Sequence, residues 1–168
     1  SNSGYLKIYK ITPGGAVSIF GTISTNSSCY GDLLIVGNYL YVGLYTGNSN
    51  GGLFQFDMTL NNPVVGQVII NNKDIMGLTY YNGALYASAF SYFASSSILK
   101  IILNHVNPSA SDVTTYITET DVGAMGSWGI CFNSTGDLYV SYFYNRLIRK
   151  YDHGTLNKSN ISLNFDYP

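Results

Sequence analysis

Short apolar runs, broken by clusters of Gly, Asn, Ser and Pro, organise the chain from end to end. The runs "DLLIV", "YLYVGLY", "GLFQFDM", "GQVII", "ALYASAF", "ILKIIL", "DLYVSYF" and "RLIRKYD" are rich in Ile, Val, Leu, Tyr and Phe. These residues suit a pleated, half-buried surface, and the runs have strand length. No stretch long enough for a helix keeps a 3.6-residue apolar period. The breaks carry turn chemistry: Gly37-Asn38 and Asn82-Gly83 tolerate positive φ in two-residue hairpins, and Pro13-Gly14-Gly15 suits a tight turn. The pattern predicts an all-β chain.

The runs also repeat. "YGDLLIVGNYLYVGLYTGNSNGGLFQFD" from Tyr30, "MGLTYYNGALYASAFSYFASSSILKI" from Met76 and "WGICFNSTGDLYVSYFYNRLIRKYD" from Trp128 share one order of features. A Gly (Gly31, Gly77, Gly129) leads through an apolar strand and a turn to Leu-Tyr followed by Val or Ala (Leu40-Tyr41-Val42, Leu85-Tyr86-Ala87, Leu138-Tyr139-Val140). A loop and a third strand follow, then a fourth in "VVGQVII", "DVTTYI" and "NISLNF". The glycines are 46 and then 52 residues apart (31 to 77, 77 to 129). The opening "GYLKIYKITPGGAVSIF" matches only the third and fourth strands. The chain therefore reads as a half unit over 1–22 and three units over 23–70, 71–117 and 118–168.

Four antiparallel strands per repeat of roughly 40–50 residues is the signature of a β-propeller blade. About three and a half blades fall short of the roughly four to eight in a closed ring. The expectation is a single partial propeller domain, completed by further blades from the same or another chain. A compact β-sandwich of the same strands is the structural alternative. Within a blade, alternation sends Leu138 and Val140 to one face and Tyr139 to the other. It also predicts an equivalent layer of Tyr41, Tyr86 and Tyr139, and a close backbone approach at Gly129.

Charge narrows the partners. Eight Lys and Arg against nine Asp and Glu give a net charge of −1, and charged residues are only 10% of the chain. Nothing resembles the basic stripe that neutralises a phosphate backbone, so nucleic acid is not an expected partner. Arg146, Arg149 and Lys150 read as a solvated strand face. No apolar run is long enough for a membrane-spanning helix. A surface of Ser, Thr, Asn, Gly and Tyr suits an extracellular or surface-associated protein, with a cytoplasmic setting as the alternative. Cys29 and Cys131 occupy different repeat positions and read as two unpaired, buried thiols.

Residues 129–152 resemble an NHL repeat. Gly129, Ile130, Gly136, Asp137, Leu138, Tyr139, Val140, Asn145, Arg146 and Ile148 follow that family's pattern, while Tyr142 stands where the family frequently has Asp. The other two units keep the Gly and Leu-Tyr elements. The resemblance implies a divergent member of the six- or seven-bladed propellers that include NHL and gluconolactonase-like proteins, with Arg146 anchoring a neighbouring blade or loop. Gluconolactonase-like enzymes hold a divalent cation with Glu, Asn and Asp from several blades. By that resemblance Asp74, Glu119, Asp121, Asn26 and Asn72 are candidate ligands for Ca²⁺ or another divalent cation, against a plainer reading as solvent-exposed loop caps.

The loops between second and third strands, and those between blades, gather aromatic residues: Tyr45, Phe90, Tyr92, Phe93, Trp128, Tyr142, Phe143 and Tyr144. Large rings at low entropic cost suit binding to a protein or glycan partner; the same rings also suit packing between blades. His105 and His153 fall on turns away from these loops. The expected function is a non-catalytic interaction module without a cofactor. The alternatives are a metal-dependent hydrolase or lyase of gluconolactonase-like type, with active-site residues partly outside this chain, and RNA binding as in some NHL propellers.

Overall fold

The computed structural model describes residues 4–25, 31–47, 50–60, 64–91, 96–103, 108–120 and 126–161. Four sheets form from strands consecutive in sequence, but for one two-residue strand that leaves the second sheet's run to join the first sheet. The first pairs β1 (Gly4–Ile11) with β2 (Val17–Thr25). The second runs β3 (Leu33–Val36), β4 (Tyr39–Leu44), β5 (Gly52–Asp57) and β7 (Gln67–Asn71). Between β5 and β7 lies the two-residue β6 (Val64–Val65), which joins the first sheet beside β2. The third sheet holds β8 (Asp74–Tyr81), β9 (Ala84–Phe90), β10 (Ser96–Ile102) and β11 (Val113–Glu119). The fourth holds β12 (Ser127–Phe132), β13 (Leu138–Tyr142), β14 (Leu147–Tyr151) and β15 (Lys158–Ile161). The chain is all-β, and every pairing except β2–β6 is antiparallel.

Turn chemistry sets the registers. Asn82 (φ 46°) and Gly83 (φ 80°) both take positive φ, the twist that joins β8 to β9 without splaying them. In the turn before β13, Asn133 Oδ1 accepts hydrogen bonds from the Thr135 and Asp137 amides at 3.1 and 2.8 Å. The Asp137 carboxyl is held well below its usual range by the His153 backbone N–H and by Lys150, whose Nζ lies 2.9 Å from Oδ2.

The sheets stack face to face, and strand alternation supplies each interface with its own side chains. Ile8 and Ile23 of the first sheet meet Leu40, Val42 and Phe56 of the second. Tyr41 and Leu53 face the other way, onto Leu78, Leu85, Ala87 and Ile101 of the third. Ala84, Tyr86 and Ile98 turn from there onto Leu138, Val140 and Tyr151 of the fourth. Tyr41 and Tyr86, the tyrosines of the first two Leu-Tyr segments, thus point to the following sheet. Tyr41 and Tyr86 are buried; Tyr139, on the last sheet, is half-buried.

Close approach occurs at Gly77, where an added Cβ would collide with the Trp128 carbonyl. The tightness expected at Gly129 is milder, since its nearest neighbour would be Ser141 Oγ at 3.3 Å. "VVGQVII" is not one strand: Gly66 packs against the Phe56 ring, where a Cβ would stand 2.6 Å from Cζ, and the chain leaves one sheet for another there. Cys131 is exposed with a free thiol, correcting the buried reading, because its strand position faces away from the third sheet. Cys29 and His105 lie outside the described residues.

Candidate functional site

Five of the eight aromatic candidates converge at one end of the stack. Tyr45 follows β4, Phe90 ends β9, Trp128 lies in β12, and Phe143 and Tyr144 form the turn after β13. The Tyr45 ring meets Phe90 edge-on at 5.1 Å, and Phe90 meets Trp128 edge-on at 6.4 Å. Trp128 lies 5.0 Å from Phe143, which lies 5.4 Å from Tyr144, and Tyr144 returns to Phe90 at 6.1 Å. Such edge-to-face contacts add about 0.5–1.5 kcal/mol per pair beyond burial. Tyr45, Met76 and Phe90 form a buried base, with half-buried Trp128 packed on it. Phe143 and Tyr144 stay 58% and 44% exposed at the top. Gly126 (φ 72°) makes room: a Cβ there would come 2.8 Å from the Tyr144 ring and 3.0 Å from the Phe90 ring.

Polar contacts stitch the sheets together beneath these rings. Asp74 Oδ1 accepts from Thr46 N, Thr46 Oγ1 and Gly51 N at 2.9, 3.0 and 3.1 Å, tying the second sheet's β4–β5 loop to the start of β8. Asp74 is paired with Phe90 across β8–β9, so this carboxylate fixes the strand end that carries the buried ring. Ser88 Oγ accepts from the Gly77 amide at 2.8 Å and donates to the Trp128 carbonyl at 2.6 Å. Gly77 sits at a bulge in the β8–β9 pairing, where an amide leaves the ladder, and the hydroxyl satisfies it. Ser141 does the same for the Gly129 amide at 2.9 Å. Ser96 Oγ accepts from the Gly126 and Ser127 amides at 3.1 and 3.2 Å, and Ser127 Oγ donates to the Ala89 carbonyl at 3.3 Å.

Tyr142 belongs to a different constellation. It is 2% exposed, buried between the third and fourth sheets, and its ring lies 5.8 Å from the Arg149 guanidinium. Its hydroxyl lies 2.7 Å from that of Tyr151, which donates to Glu119 Oε2 at 2.7 Å. Because Tyr151 has one proton to give, Tyr142 is the donor in the first link. Arg149 Nη1 donates to the same Glu119 oxygen at 2.6 Å, and Lys158 Nζ reaches Oε1 at 3.0 Å. Arg149 Nε also donates to Asn160 Oδ1 at 2.9 Å. Burial pushes the Tyr142 hydroxyl up to about 12, with the Glu119 charge adding to it. The Tyr151 hydroxyl rises further, through burial and then its bond with Tyr142. Burial opposes the Arg149 charge, yet the Glu119 carboxylate holds its pKa above the ordinary value.

These positions correct several expectations. Arg149 is buried rather than on a solvated face, because its partner Glu119 comes from the preceding sheet. Glu119 and Asp74 are not solvent-exposed loop caps: each sits at a strand end, 3% exposed, with its carboxylate engaged by other groups. Asn72 is exposed in the turn before β8, and Arg146 is exposed in the turn after β13. Asn26, Asp121, Tyr92 and Phe93 lie outside the described residues. Among the described residues, no group of three or more His, Cys, Asp or Glu side chains is placed to hold a metal ion. Among the described residues, no helix is long and apolar enough to cross a membrane.

The serine pair and the Glu119 network escape a reading of the sequence alone. The serines leave a faint trace, as the residue after Leu-Tyr-Ala and Leu-Tyr-Val, Ser88 and Ser141. Glu119 and Arg149 leave none, being 30 positions apart and brought together only by the packing of two sheets. No protein-family model matches the chain, and curated proteins provide no match either.

Proposed function

We propose that the chain is a run of β-propeller blades that acts as a non-catalytic interaction module and binds a glycan through the aromatic cluster of Tyr45, Phe90, Trp128, Phe143 and Tyr144. The blade reading is supported by three antiparallel four-stranded sheets in chain order, stacked face to face. The divergent NHL-like pattern of residues 129–152 supports it independently.

One observation carries the binding reading: two exposed rings, Phe143 and Tyr144, stand on a buried aromatic base that fixes their position. Rings held in place before binding lose little side-chain entropy on contact. The exposed rings of Phe143 and Tyr144 offer apolar faces that suit the C–H groups of a sugar ring. The low overall charge suits a neutral ligand in an extracellular or surface setting.

Trp128 is the chain's single tryptophan and touches Phe143, so its emission reports on the site. Titration with a panel of neutral oligosaccharides is expected to give a saturable change for at least one, abolished in Phe143→Ala and Tyr144→Ala. A flat response across the panel sinks the glycan reading. A protein partner whose binding is lost in the same two variants would replace the glycan while keeping the module.

A further inference from the structure

We propose that the groove beside β1 is a docking slot for a two-stranded β-hairpin, whose second strand pairs antiparallel with the open edge of β1 and completes the first sheet. This deepens the reading of the chain as part of a larger blade array and names where, and by what chemistry, the next strands attach. It does not depend on the aromatic cluster.

The three complete sheets define what belongs in this place. In each, the outer pair of strands (β5–β7, β10–β11, β14–β15) is joined through its first member to an inner hairpin (β3–β4, β8–β9, β12–β13). The first sheet has the outer pair β1–β2, and among the described residues nothing pairs with the other edge of β1. That edge presents a row of unpaired N–H and C=O groups, the template for strand addition.

Burial at equivalent positions shows that the space beside β1 lacks its cover. Leu33, Leu78 and Ile130 stand opposite Val42, Ala87 and Val140, the residues that follow the three Leu-Tyr pairs. Leu78 is 5% exposed and Ile130 is 9% exposed, because the inner hairpin of the preceding sheet covers each of them. Leu33 is 59% exposed. Its cover would be the inner hairpin that the first sheet lacks. A groove of about 230 Å³ lies there, lined by Leu6, Ile8, Gly31, Leu33, Val42 and Leu44.

The interfaces also specify the occupant. Tyr41 packs in the cluster that buries Leu78, and Tyr86 in the one that buries Ile130. A hairpin carrying a Leu-Tyr-Val/Ala segment in its second strand would set that tyrosine over Leu33 and its backbone along β1.

The test uses the full chain and, as probe, a synthetic peptide with the sequence of residues 74–90, tethered across its strands so that it is a hairpin before binding. Saturable binding is expected, with slower hydrogen exchange of the β1 amides. Leu33→Asp should weaken it about tenfold or more, while melting close to the parent because Leu33 is exposed. Phe143→Ala should bind the peptide like the parent, which separates this slot from the glycan site. No saturable binding, unchanged β1 exchange, or equal binding by Leu33→Asp would overturn the proposal. Self-association of the chain that disappears in Leu33→Asp would also overturn it, assigning the slot to a second copy.

Discussion

Arg149 and Glu119 meet at 2.6 Å in a place where neither touches bulk water, one on the last sheet and the other on the outermost strand of the sheet before it. The carboxylate also accepts a hydrogen bond from the Tyr151 hydroxyl and pairs with the Lys158 ammonium, so the chain's single Glu joins two sheets through several groups. Desolvating such a pair costs several kcal/mol per ion, which the additional hydrogen bonds offset. The link is therefore sensitive to losing one member and tolerant of losing both.

Glu119→Gln is expected to destabilise the chain by about 3–5 kcal/mol, because it leaves the Arg149 charge buried without its counterion. The double variant Glu119→Leu/Arg149→Met should recover most of that loss. Urea denaturation of the parent, Glu119→Leu, Arg149→Met and the double variant closes the cycle. Simple additivity of the two single losses would show that the pair is not coupled.

Alkaline pH should unfold the chain through the same cluster. Tyr142 and Tyr151 have folded-state pKa values raised above the ordinary tyrosine value of about 10. Their neutral forms are thus favoured by folding. That contribution is fully present below about pH 10 and is lost as pH rises through about 12, where Tyr142 titrates. Tyrosinate absorbance should show the Tyr142 and Tyr151 hydroxyls among the latest to titrate, their ionisation coinciding with loss of sheet circular dichroism. Tyr142→Phe and Tyr151→Phe should each remove one of them.

Two glycines with the same place in the repeat should respond differently to a methyl group. Gly77→Ala drives Cβ against the Trp128 carbonyl, a backbone atom that cannot rotate away, and should cost about 1–3 kcal/mol. Gly129→Ala meets only the Ser141 hydroxyl at 3.3 Å and should cost less. Thermal melting of the pair provides the comparison. Equal losses would mean that the inner strands β8 and β12 do not approach as described.

Ser88→Ala should cost about 1–3 kcal/mol, since it strands the buried Gly77 amide at the bulge and removes the bond to the Trp128 carbonyl. Trp128 emission should shift in the same variant. Phe143→Ala should change the emission too, but with a stability change near zero, because its ring is 58% exposed. Phe90→Ala, which removes the buried ring against Trp128 and Tyr144, should cost about 3–5 kcal/mol.

Much of the architecture was legible in the pattern. Two-residue alternation around Leu40-Tyr41-Val42, Leu85-Tyr86-Ala87 and Leu138-Tyr139-Val140 determined which side chains share a face, because a strand's side chains have no other period. Asn82-Gly83 determined a hairpin, because few other residues accept positive φ at both positions. These are local rules, and one stretch of chain is enough to apply them. They also located aromatic residues near the strand ends.

What those residues do was decided by which sheet lies opposite. Tyr142 and Phe143 are neighbours in sequence, yet one is sealed between sheets and the other stands in solvent. Arg149 looked like part of a basic strand face until Glu119, from the preceding sheet, was folded against it. Val64–Val65 looked like the start of one strand with Gln67–Asn71, but Gly66 against Phe56 lets it turn toward β2. The sequence by itself determined the strands, their alternation and the repeat, which depend on neighbours along the chain. Tertiary structure alone decided burial, ionisation and exposure, which depend on residues tens of positions away. It also left Leu33 uncovered where its counterparts Leu78 and Ile130 are buried.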